Sequence, residues 1–148
     1  MPRPKDETYI VDLCDEFLGM LASRGHRFDF LKGDPGKLGH RLSLPVDAYY
    51  PTIKLVVEYH ERQHSEAHPF FDRRIVASCI TRGEQRKRYD QLRRTVLPQH
   101  GITLVVFSYQ DFQHNAAKRL LRVDADHTII GARLARFKKS RRGCHHAN

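Results

Sequence analysis

Scarcity of certain residues and motifs narrows the chemistry of this chain before any positive feature does. Three cysteines, Cys14, Cys79 and Cys144, stand at unrelated spacings. They are too few and odd in number for a disulfide framework, so a reducing, cytoplasmic setting is expected. No apolar run approaches the roughly 18 residues of a membrane span, and the opening MPRPKDETY lacks the apolar segment of a signal peptide. There is no G-x-S-x-G nucleophile setting and no glycine-rich phosphate loop, which argues against serine hydrolase and nucleotide-binding chemistry. Zinc has nitrogen and sulfur candidates in His60, His64, His68 and Cys79, but no C-x-x-C or H-E-x-x-H spacing supports it.

Acidic charge is the other shortage. Seventeen Asp and Glu face 26 Lys and Arg, a formal net charge of +9, and the pI is near 9.8. An imbalance of this size points to an anionic partner, nucleic acid first and a membrane surface second. The 148 residues are most simply one domain with a core of its own.

Hydrophobic spacing supplies the elements. Ile10, Leu13, Phe17 and Leu21 recur at helical spacing between Asp6 and Ser23, with Arg24-Gly25 as the expected stop. Strands are expected at His26 to Leu31, Arg41 to Ala48 and Ile53 to His60, the last two joined as a hairpin across Pro51. The stretch from Gln63 to Ile80 has no clear period and reads as a loop bearing part of the substrate site. Thr81 to Glu84 fits a capping box opening a second helix, which Pro98 is expected to end. Ile102 to Tyr109 has the composition of a strand buried on both faces, and a last helical region is expected from near Asn115. The order is helix, three strands, helix, strand, helix: an α/β core (αβββαβ) around a mixed four-stranded sheet, with residues 1–126 as the domain and 127–148 as a basic C-terminal helix and tail. That tail reads either as a solvated end or as a phosphate-tracking arm.

The chemistry is expected where the third strand ends. Alternation puts Val56, Glu58 and His60 on one side, and the hairpin brings Asp47 towards Glu58. Two converging carboxylates repel unless a cation lies between them, and oxygen ligands favour Mg²⁺ or Mn²⁺. His60 is placed to accept a proton from water. A plainer reading leaves Asp47 and Glu58 as solvent-facing residues at strand ends and His60 and His64 in a structural hydrogen-bond network.

Asp47 followed by Glu58-x-His60 on a strand, within this order of elements, resembles the PD-(D/E)XK nuclease superfamily, the restriction-endonuclease-like fold. VDAYYPTIKLVVEYHERQH followed by RKRYDQLRRTVLPQHGITLVVFSY is similar to the very-short-patch-repair-like endonuclease group, over roughly Arg41 to Phe112. The resemblance implies a metal-dependent endonuclease acting on double-stranded DNA, with Asp47 and Glu58 as ligands of Mg²⁺ or Mn²⁺ and His60 and His64 positioning or deprotonating water. A helix-borne carboxylate, Glu16 or Asp12, is expected to complete the site. Arg62, Gln63, Arg86, Arg88, Arg93, Lys138, Lys139 and Arg141 are the expected nucleic-acid contacts. His60 stands where the superfamily usually has lysine, and Glu61 and Arg62 where glycines are common. That departure keeps open an alternative: a catalytically inactive nucleic-acid-binding module of the same fold.

Overall fold

The computed structural model describes residues 3–35, 38–61 and 81–145, with side chains through Lys138. Helix α1 (Asp6–Leu18) leads into β1 (Ser23–Lys32), β2 (Ser43–Tyr50) and β3 (Leu55–His60); α2 (Arg82–Gln99), β4 (Thr103–Ser108) and α3 (Ala125–His145) follow. The four strands form one open mixed sheet in the order β1-β2-β3-β4. The first three are antiparallel neighbours, and β4 runs parallel to β3 with Glu58 opposite Val106 and His60 opposite Ser108. The described residues thus form an α/β fold of three α-helices on a four-stranded sheet.

Two apolar clusters set the layers. Ile10, Leu13, Cys14 and Leu18 of α1 and Ile130 and Leu134 of α3 pack with Val57, Tyr59, Val105 and Phe107 on one face of the sheet. Leu97 of α2, with the partly buried Tyr89, Leu92 and Val96, covers Phe28, Leu44, Val46 and Val56 on the other. Central β3 is buried on both sides, as its run of β-branched residues requires. Edge strand β4 buries Val105 and Phe107 and leaves its other face half-covered, short of the two-sided burial its composition suggests.

Element ends differ from the sequence reading for local reasons. Helix α1 stops at Gly19, whose left-handed backbone (φ 68°) lets its N–H reach Asp15 O, so Arg24 and Gly25 belong to β1 instead. Pro98 lies inside α2 rather than ending it, because in the last turn it forfeits a single helical hydrogen bond, and Gly101 closes the helix one turn on. The Thr81 capping box is formed as expected, with both reciprocal bonds in place. Asn115 sits in a turn, and α3 begins ten residues later.

A buried polar knot fixes the start of α1 against the segment leading into α3. Asp6, 4% exposed, accepts from the Leu120 amide at 3.0 Å and pairs with Arg119 and Arg122 at 3.3 and 3.2 Å. Burial opposes its ionisation, but the Leu120 amide and the two arginines outweigh it and hold the carboxyl below its ordinary value. Tyr9 donates to buried Asp126 at 2.6 Å. At the helix's other end Asp15 accepts from Tyr50 at 2.7 Å and pairs with Arg24 at 2.8 Å. Held at both ends, α1 presents Glu7, next to Asp6, at a set place beside the sheet.

Candidate active site

The sheet forks at Asp47. Pairing of β2 with β3 runs from Tyr50↔Leu55 to Ala48↔Val57, while β3 continues alongside β4 to His60. Pairing of β1 with β2 skips Gly25 and Asp47, and Gly25 is left-handed (φ 60°). Side-chain alternation of β2 changes phase there: Leu44 and Val46 pack on the α2 side, Ala48 and Tyr50 on the α1 side. Such irregularities re-aim side chains beside functional sites.

Two side chain to backbone bonds stand in the gap of the fork. The Asp47 amide donates to Glu58 Oε2 at 3.2 Å, and the Tyr59 amide donates to Asp47 Oδ2 at 2.7 Å. Each carboxylate therefore satisfies a backbone donor of the opposite strand that the parted ladder would otherwise leave unpaired. The arrangement holds Asp47 and Glu58 together, as their sequence spacing suggests.

Glu58 is 5% exposed. Burial, and then the Asp47 charge, push its carboxyl up to about 9, against the opposing pull of Arg93. Arg93 Nε lies 3.1 Å from Glu58 Oε1, its Nη1 3.1 Å from Asp90 Oδ1, and its Nη2 donates to Pro45 O at 3.0 Å. His60 Nε2 is 4.0 Å from the same Asp90 oxygen. Glu58, Arg93, Asp90 and His60 thus form a chain of polar contacts from β3 to α2 and back.

A third carboxyl comes from α1. Glu7 is pushed above its ordinary value by burial, then by the Asp47 charge and a hydrogen bond with Asp47, with Glu61 adding to the effect. Glu16, the carboxylate expected here, is exposed and stands nine residues further on, roughly 13 Å along the helix axis. Asp12 is exposed too and pairs with Arg24 at 2.6 Å. Glu7, rather than Glu16 or Asp12, therefore lies beside Asp47, because the helix meets the fork with its first turn.

The expected nucleic-acid contacts divide. Arg86 and Arg93, with Arg82, Gln85 and Tyr89, line a cleft of about 440 Å³ along one side of α2. Arg93 is engaged with the acids, whereas Arg88 holds Asp34 at 3.0 Å. Lys138 of α3 lies over the Phe17 ring of α1. His64, Arg62 and Gln63, and the side chains of Lys139 and Arg141, lie outside the described residues. Asp90 and Glu7 were the residues missed: the first sits within the quoted RKRYDQLRR, the second within the acidic start of α1.

Among the described residues no group of three or more His, Cys, Asp or Glu side chains is arranged to hold a metal ion. The contacts are pairwise, Glu7 with Asp47 and Asp47 with Glu58. A divalent cation still fits the donor set, since Glu58 and Glu7, both with raised proton affinity, are oxygen donors that a hard cation relieves by displacing their protons. Among the described residues no helix is long and apolar enough to cross a membrane. No protein family, curated protein or solved structure matches the chain.

Proposed function

We propose that this protein is a metal-dependent endonuclease that hydrolyses phosphodiester bonds in DNA, of the PD-(D/E)XK type and nearest to the very-short-patch-repair-like group. The observation that carries the reading is the convergence of Asp47 and Glu58 at the fork, with the Glu7 carboxyl arriving from α1. A basic chain with acids gathered at one point suits a polyanionic substrate brought to a cation site.

Asp47 and Glu58 would hold Mg²⁺ or Mn²⁺, with Glu7 as the third oxygen donor. The ion supplies charge neutralisation at the scissile phosphate and a more acidic water. His60 shares the Glu58 side of β3 and accepts the proton of the attacking water; Asp90 behind it favours the imidazolium so formed. Arg93 tethers Glu58 and Asp90 in one geometry, and the arginines of the α2 cleft hold the flanking phosphates.

A second reading, a DNA-binding module without catalysis, is favoured by one contact: Arg93 sits on Glu58, where a bound cation would compete with it. Cleavage of supercoiled plasmid in Mg²⁺, Mn²⁺ and EDTA separates the two. The nuclease reading expects metal-dependent nicking or linearisation that is lost in Glu58→Ala while metal-free binding persists. Binding indifferent to metal and to Glu58→Ala, without cleavage, supports the module instead.

A further inference from the structure

The β1–β2 hairpin holds two side chains that the active site does not use. Leu38 is 86% exposed and Leu42 73% exposed. The segment bearing them is anchored: the Gly33 amide donates to Leu42 O at 3.0 Å, Arg41 Nε donates to Gly33 O at 2.9 Å, and the Asp34 amide donates to the Tyr89 hydroxyl at 2.9 Å. Arg88 clasps Asp34 with two contacts of 3.0 and 3.1 Å. The fit is close enough that a Cβ on Gly33 would lie 2.8 Å from that hydroxyl. Tyr89 also lines the arginine cleft, so the hairpin is tied to a residue of the cleft.

The surroundings of the leucines are positive. Residues 32–46 contain a single acid, Asp34, already paired with Arg88, alongside Lys32, Lys37 and Arg41. Two leucines on a hairpin make a point rather than a face, far below the roughly 800 Å² per partner of a stable protein interface. An apolar point flanked in sequence by cations fits a partner with an anionic exterior and an apolar interior, which describes the stacked bases of a DNA duplex.

We propose that Leu38 and Leu42 are a wedge that enters the base stack of bound DNA, as apolar side chains of several architectural proteins do. The proposal rests on the DNA reading above. Leu42 precedes Asp47 by five residues of extended strand, roughly 16 Å, so the distortion falls within about five nucleotides of the cleaved bond. Its role is to open or bend the duplex so that one strand reaches the fork.

Unwinding tests this without knowledge of sequence preference. Relaxed plasmid is incubated with protein and a metal-independent type I topoisomerase in EDTA, then stripped of protein and its topoisomers resolved. Wild type is expected to leave negatively supercoiled plasmid in proportion to the amount bound. Leu38→Ser/Leu42→Ser is expected to bind within about threefold of wild type at low salt and to leave the plasmid relaxed; an unchanged thermal midpoint shows that it is folded. Equal unwinding by the double variant, or wild-type binding without unwinding, overturns the wedge but leaves the nuclease reading intact. No wild-type binding at low salt removes both. A wild-type dimer that the double variant converts to monomer assigns the leucines to a second copy and also overturns the wedge.

Discussion

A carboxyl buried beside a second carboxylate keeps its proton far beyond its usual range. In the unfolded chain Glu58 ionises near its ordinary value of 4.5, whereas in the fold it does so only at about 9. Between those values the folded state binds the extra proton, so this residue's contribution to stability is whole below 4.5 and declines as pH rises towards 9. Glu58→Gln removes that slope. Urea unfolding at pH 5 and pH 8 should show the variant gaining on wild type by roughly 1–3 kcal/mol at the higher pH. A difference that does not change with pH contradicts the assignment. Glu7→Gln should reduce cleavage by roughly tenfold or more, as loss of a group supporting a metal site does, while Glu16→Gln leaves the rate unchanged. Equal effects in initial-rate assays would mean that Glu7 is not part of the site.

Asp47, Glu58 and His60 were legible because strand alternation and a hairpin specify faces without reference to the rest of the fold. The third carboxylate was not, since choosing among Glu7, Asp12 and Glu16 requires knowing which turn of α1 meets the fork. That is decided by the Asp6 and Asp15 contacts at its two ends, which are long-range and leave no periodic trace. Asp90 was hidden likewise: its importance lies in His60 and Arg93 converging on it from two elements.

At the scale of elements, the long apolar periods gave the number and order of helices and strands found among the described residues, and the errors fall at their ends. Gly25 reads as a helix stop because glycine often is one, yet the helix already ends at Gly19, and Gly25 supplies the left-handed residue opposite Asp47. Gly25→Ala should destabilise the protein by roughly 1–2 kcal/mol, with Gly25→Asn less costly because asparagine tolerates that backbone region better. Space is not the limit, since nothing lies within 4 Å of a Cβ placed there. Chemical denaturation of the two variants checks the order; alanine tolerated as well as asparagine would remove the strain argument.

For the molecule as a whole, the labour divides, on the proposed reading, between a formal charge of +9 that would hold a polyanion and the acids at the fork that would act on it. Exposed Arg82 on the cleft wall is a test of the first. Arg82→Ala should weaken duplex binding similarly across sequences and lower the slope of log affinity against log salt by about one. Anisotropy titrations between roughly 50 and 200 mM salt measure it, and an unchanged slope would place the phosphates elsewhere. A fold class is readable from such a chain, but the use of its site is carried by local geometry at the fork.

The central claim is that the fork binds a divalent cation at Asp47 and Glu58, displacing the proton that Glu58 otherwise holds. Calorimetric titration with Mn²⁺ in buffers of different ionisation heat tests it most directly. The account predicts one binding event at the fork, stronger at pH 8 than at pH 6, accompanied by proton release and abolished by Asp47→Asn and by Glu58→Gln. Absence of binding, or binding that survives both substitutions, would contradict it.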